Sequence, residues 1–475
     1  KPYYIESAWW TLKEMHKNGL LKKGKLAIHW CPRCETALAG YEVSDSYKNV
    51  TDTTIYVKFK IKDQKDTYLI AYTTTPWTLP GNVALAVAPK ENYVKVETNG
   101  EFYILAEALI EKVAKLANFK YKIIEKFLGE TLDGIKYEPI LNVPSQKMSD
   151  RAHKIYLSVP IMKFKKYKKH ETGASDKEEF DQFVTVNDGT GIVHSAPGHG
   201  SSDNFFGKHY NLDAVSPVNE SGCFTSDAGK YEGMFVKDAD KIIIQDLKDQ
   251  NKLLYTGHVT HSYPLCWRCK SPLIFRLSDQ WYLSVDPIKE QMIKSNDKVN
   301  WMPSFGKKRF ENWLIERTDW CVSQQRYWGT PLPIWECECG KIHIFGSLKE
   351  LQKKAIDFPK DITDLHKDTV DKIKIRCNCN REVSRIPDIS NVWFDSGIAP
   401  WASLGYPHKN KELFEKLYPC DLVVESQDQI RGWFDSMMFT SIGTFKKQSY
   451  KSVGLMGWVL DEKGIKMSKS VGNVI

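Results

Sequence analysis

Apolar side chains recur every three to four residues over 4–18, YIESAWWTLKEMHKN, so that Ile5, Trp9, Leu12 and Met15 share one face of a helix that Gly19 would close. The period then changes. From Thr54 apolar positions alternate (Ile55, Val57, Phe59, Ile61), and short runs at 68–72, 93–96 and 102–105 predict further strands. Leu109, Val113 and Leu116 predict a helix, so this stretch is expected to be β-rich with a few helices. Beyond residue 385 the pattern predicts a strand at 421–424, a helix over 429–445 and a strand at 453–460. Strand, helix, strand is the pattern of an open parallel sheet, whose ligands bind beyond the carboxyl ends of the strands. No fixed-period repeat and no low-complexity segment is present.

The 475 residues exceed what one core holds, and two to four domains are expected. No run approaches the roughly 18 apolar residues of a membrane helix, and KPYYIESAWW has neither the apolar core nor the cleavage site of a leader, so no membrane partner is expected. The net charge of +8 is carried mostly by Lys, which permits a polyanionic partner without requiring one. The 15 Trp and 22 Tyr are expected mostly in cores.

Eight of the 11 cysteines form four close pairs: Cys31 and Cys34, Cys266 and Cys269, Cys337 and Cys339, Cys377 and Cys379. Without a secretory leader this spacing points to zinc rather than disulfides, because two nearby thiolates can turn onto one tetrahedral ion. The two CxRC pairs resemble each other and the two CxC pairs are close in sequence, which predicts two four-cysteine sites. Joining 31/34 to 266/269 marks an inserted domain, since closing so long a loop costs only logarithmically more than closing a short one. The second site would staple a ribbon over roughly 335–382.

Four segments carry candidate chemistry. In AYTTTPWTLPGN (71–82), Thr73, Thr74, Thr75 and Thr78 frame a Pro-Trp turn. They are either a strand end stopped by Pro76 or a hydroxyl cluster that positions a ribose and a water. DGTGIVHSAPGHGSSD (188–203) is expected as one loop whose glycines admit a ligand and whose Asp203 offers a carboxylate to a cation such as an α-ammonium, with a structural turn as the alternative. ESQDQIRGWF (425–434) brings Glu425, Asp428 and Gln429 to a strand's carboxyl end, with Trp433 one turn on; a capped, buried helix start is the other reading. In KMSKS (466–470), Lys466 and Lys469 could neutralise charge on a triphosphate; residues 147–149 repeat KMS without the second lysine.

Together with HSYPLCWRCKSPLIFR, RTDWCVSQQRYWGTPLPIWECECG and NVWFDSG, these segments resemble the class I aminoacyl-tRNA synthetases, in order and across essentially the whole chain, and most closely the isoleucyl branch. The resemblance implies an α/β fold: an incomplete Rossmann-type parallel-sheet catalytic core with a large inserted β-rich editing domain and zinc-stapled ribbons. The expected divisions are 1–45 (core part and zinc-ribbon entry), 46–258 (editing insertion), 259–385 (return to the core with zinc pairs) and 386–475 (second half of the core).

The resemblance further implies that Thr73, Thr74, Thr75 and Thr78 contact the terminal adenosine and a mischarged ester, that Asp203 holds the ammonium of valine, and that His194 helps to exclude isoleucine. A second sieve is needed because one methylene contributes only about 1 to 3 kcal/mol of discrimination. Glu425 and Asp428 would bind the ribose of the aminoacyl adenylate and Gln429 the amino acid's polar end. Trp393 and Trp433 would wall the side-chain pocket, and Lys466 and Lys469 would grip ATP. The family usually has Gly where this sequence has Ser426.

ATP, Mg2+ and Zn2+ are the implied cofactors, L-isoleucine and isoleucine tRNA the partners, and a cytoplasmic monomer the expected form. A valyl synthetase and a non-catalytic, zinc-containing RNA-binding protein are the competing readings. The His-Ile-Gly-His signature does not occur in the sequence, so an internal fragment that does not activate an amino acid by itself is expected.

Overall fold

The computed structural model describes residues 1–475 except 39, 44–45, 148, 165–178, 361, 468–471 and 475. The chain divides into two compact units, one formed by residues 1–24 and 280–475, the other by 25–279. No helix among the described residues is long and apolar enough to cross a membrane.

In the discontinuous unit the helix Pro2–Lys17 forms where the apolar periodicity places it, with Asn18 as its C-cap and Gly19 following at φ +73°. Its apolar face serves two cores. Ala8, Leu12 and Met15 join the main cluster with Trp301, Phe434 and Met438, whereas Ile5 and Trp9 pack with Trp335, Leu351 and Ile375. Three parallel strands, Asn300–Met302, Tyr450–Met456 and Cys420–Ser426, form a sheet in that order. The crossover from Cys420–Ser426 to Tyr450–Met456 is a 3-10 turn, Gln427–Arg431, and the helix Trp433–Phe445, which Gly432 divides at φ −128° and ψ −109°. The single helix expected over 429–445 is thus two elements. That helix is apolar on nearly every side and accordingly buried. Asp435 in its first turn pairs with Arg317, whose Nε lies 2.9 Å from Oδ2, and both side chains are less than a tenth exposed. The small ribbon is two antiparallel pairs, Ile334–Glu336 with Ile342–Ile344 and Ile375–Arg376 with Glu382–Val383.

The continuous unit is built on a nine-stranded mixed sheet. Tyr47–Lys60 alternates as its sequence predicts: Ile55, Val57 and Phe59 enter one core while Tyr56 enters another with Ile70 and Val94. Thr67–Thr73 pairs on one edge with Tyr47–Lys60 and on the other first with Glu101–Ala106, then at Tyr72 with Val193 of Ile192–Ser195. That change of partner sets the end of the threonine strand beside His194. Tyr47–Lys60 also pairs antiparallel with Leu253–Pro264, from Val57 opposite Leu253 to Tyr47 opposite Pro264.

Removing one partner of the buried Arg317–Asp435 pair leaves an uncompensated charge, so Asp435→Ala should lower unfolding free energy by about 3 to 5 kcal/mol in chemical denaturation. A loss under about 1 kcal/mol would show that the pair does not anchor the helix.

Candidate functional sites

In the continuous unit Thr73 ends its strand and a 3-10 turn, Pro76–Gly81, carries the chain onward with every residue buried. The Thr75 backbone N–H donates to Thr73 Oγ1 at 3.1 Å, and the Thr75 and Thr78 hydroxyl oxygens lie 3.3 Å apart. Thr78 Oγ1 is 2.9 Å from His194 Nε2, and the other ring nitrogen, Nδ1, is 2.9 Å from Asn82 Nδ2. The orientation of that amide is fixed by its neighbours: Nδ2 also donates to the Ala84 carbonyl at 3.1 Å, and a carbonyl only accepts. The Tyr137 hydroxyl donates to Asn82 Oδ1 at 2.9 Å. His194 Nδ1 therefore accepts, Nε2 carries the proton and donates it to Thr78, and Thr78 donates to the Thr75 carbonyl at 2.8 Å. Burial, reinforced by His199, lowers the His194 pKa to about 3.

His194 lies on the strand Ile192–Ser195 and Asp203 in the first turn of the helix Ser201–His209, so the loop expected over 188–203 is partly a strand and a helix start. Asp203 Oδ1 accepts from the Ala196 N–H at 2.9 Å, two residues beyond His194. Burial pushes its carboxyl up to about 6, against the lowering effect of that N–H, although part of the side chain still meets solvent. Gly200 leaves room for this carboxylate, because a Cβ there would lie 2.1 Å from Asp203 Oδ2 and displace it. His199 donates Nδ1–H to the Phe275 carbonyl at 3.1 Å and packs edge-on against Trp77. Burial lowers its pKa to about 4. The Trp77 N–H donates to Asp240 Oδ1 at 2.8 Å, which ties the 3-10 turn to the helix Val236–Asp249.

In the discontinuous unit Glu425 and Ser426 end their strand, and Asp428 and Gln429 lie in the 3-10 turn that follows. The Ser426 hydroxyl donates to Asp428 Oδ1, so this side chain orients the carboxylate. Burial opposes ionisation of Asp428, but the Ser426 hydroxyl and the Lys466 charge hold its carboxyl below the usual range. Gln429 donates to Asp428 Oδ2 at 3.1 Å and accepts from the Trp433 N–H at 2.9 Å. A Cβ on Gly432 would lie 2.7 Å from Gln429 Oε1 and 2.9 Å from the Trp393 ring, which locates the convergence of Gln429 and Trp393. Trp433 Nε1 donates to the Ser396 carbonyl at 2.9 Å, in the same helix as Trp393. Lys466 is exposed, its Nζ 4.6 Å from the Trp458 ring centre. The approach to it is a turn held by Asp461, whose Oδ1 accepts from the N–H groups of Lys463 and Ile465. Lys469 lies outside the described residues.

The cysteines gather as 31/34 with 266/269 and 337/339 with 377/379, the four sulfurs of each group within 4.8 Å of one another. Sulfur pairs at 3.4 Å (Cys31, Cys269), 3.6 Å (Cys337, Cys379) and 3.8 Å (Cys339, Cys377) approach the roughly 3.8 Å edge of a tetrahedron with metal–sulfur bonds of about 2.3 Å. All eleven cysteines are free, and these groups could hold a metal ion.

The profile of the family described as tRNA synthetases class I (I, L, M and V) matches residues 1–475. The chain belongs to this family. Among curated relatives of this chain, the isoleucine–tRNA ligases of Thermococcus kodakarensis and Pyrococcus horikoshii are each 46% identical over 508 aligned residues, covering 100% of the chain and 45% of the relative. That of Saccharolobus solfataricus is 44% identical over 479, covering 100% of the chain and 46% of the relative. The chain thus spans less than half the length of these proteins. Among solved structures, the LeuRS-tRNA-LeuAMS ternary complex of Agrobacterium radiobacter is 16% identical, with a TM-score of 0.36, over 100% of this chain and 54% of that one.

Asn82, Tyr137 and Asp240 were not singled out by sequence. Asn82 left one signal, a polar residue directly before the wholly apolar run VALAVA, where its side chain had to be buried and bonded.

His194 and His199 are neutral when folded, whereas in the unfolded chain they take up protons below about pH 6.5. Their contribution to stability is therefore complete above that pH and is lost as acid drives unfolding. Each should add a slope of up to about 1.4 kcal/mol per pH unit between 6.5 and its folded pKa. His194→Gln should flatten the pH dependence of urea unfolding by about that amount, and an unchanged slope would contradict a buried neutral imidazole.

Proposed function

We propose that this chain is the part of an isoleucine tRNA ligase that contains its editing domain and a portion of its catalytic core. The observation that carries the editing assignment is the joining of the threonine peptide to His194, with Asp203 bonded two residues further along the same backbone. Both ring nitrogens of His194 are engaged, Nδ1 by Asn82 and Nε2 by Thr78, so its imidazole does not act as a base. It forms a wall that excludes the larger side chain. Asp203 holds the α-ammonium of a mischarged valyl ester, while the hydroxyls of Thr73, Thr74, Thr75 and Thr78 position the terminal ribose and the attacking water. Hydrolysis then proceeds by orientation, without a covalent intermediate.

In the synthetic half, Glu425 and Asp428 bind the ribose of isoleucyl adenylate, Gln429 the amino acid's polar end, and Trp393 and Trp433 its side chain. Lys466 and Lys469 neutralise the phosphates of ATP, which Mg2+ accompanies. Zinc in the two thiolate groups staples the ribbons. The proposed divisions are core segments 1–45, 259–385 and 386–475 around an editing domain at 46–258, although residues 25–45 and 259–279 fold in the same compact unit as that domain. The whole protein acylates isoleucine tRNA as a cytoplasmic monomer.

The 475-residue chain should hydrolyse valyl-tRNA(Ile) without ATP. Its rate should fall about tenfold per pH unit below about 6, as the Asp203 carboxylate takes up a proton. Asp203→Ala should cost about 10- to 100-fold, the loss of a hydrogen bond to a charged group, and unchanged hydrolysis would remove Asp203 from the site. The longer protein that contains this chain should charge tRNA with isoleucine; preferential charging with valine would overturn the substrate assignment.

A further inference from the structure

The second cysteine group has a neighbour that the ligand spacing does not include. His343, on the strand Ile342–Ile344 and opposite Trp335, brings its Nε2 to 3.3 Å from Cys377 Sγ. The four sulfurs already form a closed set within 4.8 Å, and the imidazole is not a member of it. Each CxC pair is also turned inward by a tight turn. Gly340 follows Cys339 at φ +82° and donates its N–H to the Cys337 carbonyl, and Asn380 follows Cys379 at φ +66° and does the same to Cys377. With the coordination sphere filled from these two turns, the imidazole has an outer position.

We propose that His343 is an outer-sphere residue of this metal site, donating its Nε2–H to the Cys377 thiolate. The inference rests on the reading that the group holds zinc. A metal-bound thiolate has no proton to give, so the imidazole is the donor and its tautomer is fixed with the proton on Nε2. Four thiolates around a divalent ion carry a net charge of 2−, and each N–H donor disperses part of it. Cys339 and Cys379 are exposed here, so water can compete for the ion on that side of the site. A hydrogen bond to a buried thiolate strengthens the opposite side. Outer-sphere partners of this kind typically contribute 10- to 100-fold to metal affinity.

The test loads the 475-residue chain with 113Cd2+ and records the metal's NMR signals together with the rate of removal by a chelator. Two tetrathiolate signals are expected, neither split by coupling to histidine 15N. His343→Ala should shift one signal, leave the other in place, and speed the loss of one metal equivalent by about tenfold or more. His343→Gln, which keeps an N–H donor, should fall between the two. Unchanged signals and release rates in His343→Ala would overturn the proposal, as would a cadmium–nitrogen coupling in the unsubstituted chain, which would make His343 a direct ligand. Uptake of a single equivalent that Cys377→Ser leaves unaltered would instead overturn the zinc reading, and this inference with it.

Discussion

The Asn82 carboxamide fixes the protonation of the buried imidazole on which the continuous unit's candidate site is built. Its nitrogen is committed to the Ala84 carbonyl, so it presents a donor to His194 Nδ1 and forces the imidazole proton onto Nε2. From there a one-way series of hydrogen bonds runs to Thr78 and on to the Thr75 carbonyl. A cationic His194 would set one N–H against another in a buried setting, a cost of the same kind as leaving a donor unpaired. The imidazole is thereby locked neutral and cannot serve as a base, so in the proposed editing reaction the threonines and Asp203 would act by placement.

The two candidate sites treat their carboxylates differently, and the cause is local. Asp203 lies in surroundings that disfavour charge, and burial lifts its carboxyl to about 6 despite the Ala196 N–H, its own N–H and the Ser195 hydroxyl, which favour the ionised form. Such a carboxylate gains from the arrival of a cation. Asp428 is only partly desolvated and already satisfied by the Ser426 hydroxyl and the Gln429 amide, with Lys466 contributing favourable charge. It is oriented in advance, as the proposed contact with a ribose would require. Glycines make both arrangements possible, Gly200 by leaving room for Asp203 and Gly432 by letting Gln429 and Trp393 converge.

What could be read from the sequence was what repeats or clusters locally. The helix at Pro2–Lys17 and the strand Tyr47–Lys60 follow from their periods, and the cysteine partnership follows from the likeness of the pairs. The threonine peptide and His194 were legible as candidates because their residue types are unusual together. Their supports were not. Tyr137 reaches Asn82 across 55 residues and Asp240 reaches the Trp77 backbone across 163, and neither leaves a pattern in its own neighbourhood. The break at Gly432 was also missed, because apolar periodicity alone does not register a glycine whose role is to let other side chains approach.

The most direct test of this account is the protonation state of His194, observed by two-bond 1H–15N correlation of its ring in the folded chain. A neutral imidazole with the proton on Nε2, unchanged from pH 8 down to 5, is the predicted result. A proton on Nδ1, or titration near pH 6.5, would contradict it and leave the imidazole free to act as a base.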